Sequence, residues 1–213
     1  MKSLIQTNPA QASEEVGELL KGKNKKNVDL VTSVAHVYLD AGKLTEAQEY
    51  LAMAKKANNK DPKVSVLEGD IALAQKNIGQ ACQLYEQAIY FDPNCKEAYL
   101  KYAQAYKSAS PALAIEKLEQ LKAVDPNCLE ADRELAEVYY SSNRFGKAAE
   151  MYAKFIDTPL ATEDDMLKYA FALFLNHDFE KSLQVAQKGL QKNARHAAFN
   201  RLVMYNNTDL KRY

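Results

Sequence analysis

An all-α solenoid of stacked antiparallel helix hairpins is the fold class that this 213-residue sequence predicts, on three observations. The first is sparse punctuation: 7 glycines and 6 prolines are too few for a turn-dense β-sandwich, a collagen-like stretch or a long disordered linker. The second is a period. Small residues recur at Ala47, Ala81, Ala114, Ala148 and Ser182, at equal intervals save the second, which is shorter by a single position. Three more columns keep step with them: Ala35, Gly69, Ala103, Ala136 and Ala170; Leu51, Tyr85, Leu118, Tyr152 and Ala186; Tyr38, Ala72, Tyr106, Tyr139 and Leu173. The third lies inside each period. Leu30, Val34, Val37 and Tyr38 follow helical spacing, Ala41-Gly42-Lys43 breaks it, and Leu44, Ala47, Tyr50, Leu51 and Ala54 resume it. A helical hairpin of this size cannot bury its apolar face alone, so the units must stack.

The elements follow in order. Asn8 and Pro9 read as an N-cap and a first-turn proline for a lone amphipathic capping helix over 8–22, stopped by Gly22 and forming the second half of an incomplete unit. Hairpins are expected over 28–61, 62–95, 96–128, 129–162 and 163–196, starting at Val28, Pro62, Lys96, Leu129 and Glu163. The matched strings DPNC at 92–95 and 125–128 place Pro93 and Pro126 just past second helices, where proline forces a turn. The one short interval falls in KSASPALAI, where a turn residue is missing and Ser110 with Pro111 supplies an N-cap and a first-turn proline. ARHAAFNRLVMYNN reads as the first helix of a partial repeat over 197–213, and TDLKRY ends where a second helix should begin. The expectation is a single solenoid over 1–213 that continues in a longer natural protein, of which this chain is an excised N-terminal part.

Composition narrows the function. Lys+Arg 28 balance Asp+Glu 28, so the electrostatic attraction that drives nucleic-acid and anionic-membrane binding is absent. No apolar run reaches the ~18 residues of a membrane span, and MKSLIQTNPAQ lacks the apolar core of a secretory signal. Three cysteines suit free thiols and a reducing cytoplasm; a periplasmic fragment without its signal peptide is the alternative. His36, His177 and His196 have no ligand-spaced partner, and no HExxH, CxxC or phosphate loop occurs, so neither metal, cofactor nor catalysis is expected. Glu163-Asp164-Asp165 and Glu14-Glu15 follow Thr162 and Ser13 at helix starts, where carboxylates complement the helix dipole. Lys21, Lys23, Lys25 and Lys26 read as a solvated turn beyond a helix C-terminus.

The repeated hairpins, their small-residue columns and the terminal prolines resemble the tetratricopeptide repeat family, most clearly in the second unit at Gly69, Ala81, Tyr85, Ala88 and Pro93. The departures are the tryptophan-like column, which holds Val31, Ser65, Tyr99, Asp132 and Met166, and the fifth unit, where Gly189 and Ala194 replace the expected Ala and Pro and looser packing is expected. The resemblance implies a right-handed superhelix whose first helices line a concave groove. Its exposed columns would hold Leu39, Val66, Leu73, Leu100, Lys107, Arg133, Glu137, Tyr140, Leu167, Phe171 and Phe174 as the partner-binding set. Clustered apolar and aromatic side chains there would anchor a peptide or protein partner. The lysine, asparagine and arginine clamp that some members use for a C-terminal carboxylate is missing, since the matching positions hold Thr32, His36, Leu67, Glu97 and Lys101. The expectation is a protein-interaction scaffold without enzyme activity. The alternative is a structural, self-associating element whose C-terminal partial repeat makes a homo-oligomer, to be tested by Phe199→Asp or Leu202→Asp.

Overall fold

The computed structural model describes residues 1–211, so the last two positions of the expected partial repeat lie outside the described residues. Those described form thirteen α-helices, one 3-10 turn and no strand. They divide into two compact units, one over Met1–Ala109 and one from Ser110 onward. The first holds α1 (Lys2–Thr7), α2 (Pro9–Leu19), the 3-10 turn Gly22–Lys26, α3 (Val28–Asp40), α4 (Leu44–Ala57), α5 (Pro62–Ala74), α6 (Ile78–Phe91) and α7 (Lys96–Tyr106). The second holds α8 (Pro111–Val124), α9 (Leu129–Ser141), α10 (Phe145–Phe155), α11 (Glu163–Leu175), α12 (Phe179–Lys192) and α13 (Ala197–Asp209). From α3 to α7 in the first unit and from α8 to α13 in the second, every helix packs on the next, as stacked hairpins require. The boundary between the units falls where one position of the period is missing. No helix among the described residues is long and apolar enough to cross a membrane.

The turns explain the period. Gly42, Lys76, Asn143 and His177 occupy one column, and all four have positive φ, between 59° and 76°. In each the backbone closes a Schellman motif: Lys43 N–H reaches Tyr38 O at 2.9 Å, Asn77 N–H reaches Ala72 O at 2.9 Å, Arg144 N–H reaches Tyr139 O at 2.8 Å, and Asp178 N–H reaches Leu173 O at 2.9 Å. His177 is thus a turn residue. The DPNC strings make a second recurrent turn, in which the Asp92 and Asp125 carboxylates accept from Asn94 and Asn127 N–H. Ser110 does take the N-cap position before Pro111, but its side chain caps nothing.

Small residues set the helix separation. Ala47, Ala81, Ala114, Ala148 and Ser182 are wholly buried. A Cβ on Gly69 would collide with the ring of Tyr85, so α6 approaches α5 at a distance only glycine permits. The looser packing expected in the fifth unit is not found. A Cβ at Gly189 would lie 2.5 Å from Phe199 Cζ, and Phe199 is fully buried, so the missing methyl is replaced by a ring from α13. The capping helix is not alone either. Asn8 caps α2 by accepting from Gln11 N–H at 3.3 Å, but α1 precedes it and packs against α2 and α3 through the buried Ile5. Six residues are too few for periodicity to reveal a helix.

Candidate functional site

The first-helix columns carry the expected binding residues, and the structure sorts them. In the first unit Leu39, Leu73, Leu100 and Lys107 are half-buried. Val66 is not on the surface: it is 1% exposed, because α7 covers it with Ala98 and Tyr102. In the second unit Tyr140, Leu167, Phe171 and Phe174 are half-buried, and the last three rest on one cluster built on Met166, Phe199 and Leu202. Phe174 lies 6.2 Å from Tyr205 of α13 and 5.5 Å from Phe179, while Tyr140 meets Phe145 edge-on at 5.7 Å. Phe171, Phe174 and Tyr205 form an aromatic shelf on the face of α11 and α13, and Tyr140 stands one period before Phe174 on α9.

Arg133 and Glu137 are engaged in ion pairs inside the unit. Arg133 grips the buried Asp165 with two bonds, Nε to Oδ1 at 3.1 Å and a terminal nitrogen to Oδ2 at 3.0 Å. Asp165 also completes a capping box with Thr162 at the start of α11. Glu137 Oε1 accepts from Tyr152 Oη at 2.9 Å and from Lys168 Nζ at 2.8 Å. The first unit holds the same geometry two hairpins earlier in the sequence. Asp70 Oδ1 accepts from Tyr85 Oη at 2.7 Å and Asp70 Oδ2 from Lys101 Nζ at 3.0 Å. Each latch joins an acid on a first helix, a tyrosine on its own hairpin's second helix and a lysine on the next first helix. Burial and the adjoining carboxylate raise the pKa of both phenols.

Asp70 has a third partner, His36 Nε2 at 3.0 Å. Burial pushes the Asp70 carboxyl up, but His36, Tyr85 and Lys101 outweigh it and hold the group below the ordinary carboxylate range. The hydrogen bond to Asp70 raises His36 above the ordinary histidine value against the opposing effect of burial, with help from the charges of Asp70 and Glu97. Asp29, Thr32, Ser33, His36, Lys63 and Glu97 line a polar cleft of about 330 Å³ on this face. Lys63 Nζ and Asp29 Oδ1 are paired across it.

Two parts of this face escaped the sequence pattern although a signal existed. Tyr205 stands one full period after Phe171 and continues its column into α13. The lysine of each latch follows its acid at one and the same interval, Asp70 to Lys101 and Glu137 to Lys168. None of Cys82, Cys95 and Cys128 forms a disulfide bond. Among the described residues no group of three or more His, Cys, Asp or Glu is placed to hold a metal ion.

Helix pairs repeated at a fixed period, locked by small-residue columns and recurring turns, define a helical-repeat solenoid. A family model described as Tetratricopeptide repeat matches residues 34–94 and 104–161, more than half of the sequence, and the chain belongs to that family. Among solved structures, PilW, described as a widely conserved type IV pilus biogenesis factor, is 18% identical with a TM-score of 0.72, covering 91% of this chain and 90% of its own. PilF of Pseudomonas aeruginosa is 16% identical with a TM-score of 0.65, covering 82% of this chain and 80% of its own. YrrB, described as a TPR protein with an unusual peptide-binding site, is 14% identical with a TM-score of 0.61, covering 84% of this chain and 93% of its own. At such identities the likeness is one of fold. No curated protein matches the sequence.

Proposed function

We propose that the chain is an interaction scaffold whose first-helix face binds a peptide or protein segment, by contact and without catalysis. The observation that carries this is the aromatic shelf of Phe171, Phe174 and Tyr205, whose rings, like that of Tyr140, lie on first helices and remain partly open to solvent. Partly exposed rings backed by a firm core are the anchors that partner segments use, because they give apolar area with little side-chain entropy to lose. The fold likeness to a protein described as having a peptide-binding site supports the same reading.

The test is selection of binding peptides from a displayed random library, followed by affinity measurement on Phe171→Ser, Tyr205→Ser and Leu73→Glu variants of unchanged helicity. The control is Tyr90→Ser on α6, at a tyrosine that is 82% exposed. Binding lost in the face variants and kept in the control supports the proposal; equal binding by all of them refutes it.

A second reading, self-association through the last helix, is favoured by Met204, Tyr205 and Leu175, which are 56%, 44% and 44% exposed at one end of the second unit. Phe199→Asp and Leu202→Asp cannot test it, since both residues are fully buried and the variants would unfold. Met204→Lys is the suitable change, read by concentration-dependent light scattering.

A further inference from the structure

The cleft on α3, α5 and α7 has a donor and acceptor pattern of its own. Thr32 Oγ1 donates to Val28 O at 2.8 Å and Ser33 Oγ donates to Asp29 O at 2.7 Å. Each hydroxyl has one hydrogen, and Thr32 is buried, so what the exposed Ser33 has left for a ligand is lone pairs. Glu97 adds a carboxylate from α7 that bonds to no other described residue, close enough to His36 to act on its titration. The lysines at this face are already engaged, Lys63 with Asp29 and Lys101 with Asp70. Acceptors dominate what the cleft can offer.

His36 follows the same rule. Its Nε2 faces Asp70 Oδ2, and a carboxylate only accepts, so Nε2 carries the hydrogen and neutral His36 keeps its lone pair on Nδ1. Protonation turns Nδ1 from an acceptor into a charged donor. The groups around His36 are Asp29 on its own helix, Lys63 and Asp70 on α5, Glu97 and Lys101 on α7, with Tyr85 of α6 reaching Asp70 from below. With His36 neutral the charged groups leave one net negative charge; with His36 protonated they leave none.

We propose that this cleft takes a basic side chain of a partner segment, lysine or arginine, in contact with Glu97, and that protonation of His36 releases it. The proposal rests on the reading of the first-helix face as a binding surface and adds the chemistry of the partner and its control by pH. An ammonium or guanidinium group supplies donors only, which matches the acceptors in the cleft and fails once Nδ1 carries a proton.

The experiment uses the full chain with three acetylated and amidated glycine-serine peptides bearing lysines, arginines or glutamates. Binding is followed by backbone amide shifts of α3, α5 and α7 at about pH 8 and about pH 5.5, at fixed ionic strength. The lysine and arginine peptides should bind at the higher pH and weaken at least about fivefold at the lower, the factor that one added like charge gives at about 4 Å in water. Glu97→Gln should remove binding at the higher pH, and the binding that remains in His36→Gln should no longer change between the two pH values. Binding of the glutamate peptide as strong as the basic ones, indifference to Glu97→Gln, or a pH dependence that survives His36→Gln would each overturn the proposal. Library peptides that bind through the aromatic shelf while no basic peptide binds this cleft would refute this inference alone; failure of both would refute the binding face itself.

Discussion

Gly189→Ala is the substitution whose outcome the packing decides most sharply. In the interior of a helix, alanine is favoured over glycine by about 1 kcal/mol, so propensity alone predicts a more stable protein. The structure predicts the opposite. The new methyl would lie 2.5, 2.6 and 2.8 Å from Cζ, Cε2 and Cε1 of Phe199, a ring with no solvent-exposed surface and with the imidazole of His196 at 4.7 Å. Overpacking of this kind costs about 1–3 kcal/mol, leaving a net loss of about 1 kcal/mol after the propensity gain. Phe199→Leu removes the obstruction, and in that background Gly189→Ala should stabilise by up to about 1 kcal/mol, so the two changes couple by about 2 kcal/mol. Urea midpoints at unchanged slope, read by far-ultraviolet circular dichroism across the four members of the cycle, give the coupling directly. An equal gain from alanine in both backgrounds would show that α13 does not pack on α12 as described.

The remaining predictions concern turns, latches and pH. Lys76→Gly should raise the urea midpoint by about 1 kcal/mol equivalent, since a side chain in the left-handed region costs about 1–2 kcal/mol, and Gly42→Val should lower it. Tyr85→Phe deprives the buried Asp70 of one of its donors and should cost about 1–3 kcal/mol, and Tyr152→Phe should cost less because Glu137 is less buried; thermal melts of the pair compare them. His36 has its folded-state pKa raised above 6.5, so its contribution to stability is complete below about pH 6.5 and fades as pH rises through the raised value. Asp70 has a lowered pKa and acts in the opposite sense, contributing above the ordinary carboxylate value and fading as pH falls through its own. His36→Gln should therefore flatten the neutral limb of a stability-against-pH curve and weaken the acid limb without removing it, because Tyr85 and Lys101 still hold Asp70.

The period was legible because hairpin packing demands small residues at fixed intervals, and Gly42 announced its turn because glycine suits positive φ. Lys76, Asn143 and His177 adopt the same backbone with ordinary side chains, held there by the motif around them, so only the column and not the residue type betrays them. The face was harder to read. Val66 and Leu100 share a column, yet one is covered and the other half-open, because exposure depends on which side chains the next helix lays over it. Arg133 and Glu137 looked available because their partners, Asp165 and Lys168, lie a whole hairpin further along the sequence on another helix. Phe171 and Phe174 could be placed on the face, but the ring of Tyr205 that extends the shelf lies in a unit whose period is incomplete.

The latches recur at every second hairpin, which makes the pair of hairpins, and not the single hairpin, the unit of exchange in this chain. Excising 96–162 would bring Lys168 into the register of Lys101, so Asp70 and Tyr85 would meet the same kind of cation as before. Excising 96–128 alone would bring Glu134 into that register, setting a second carboxylate against a buried one. Both deletions preserve the hydrophobic period, yet only the longer one preserves the charge order beneath it. Shortening or lengthening of such an array is therefore quantised in twos.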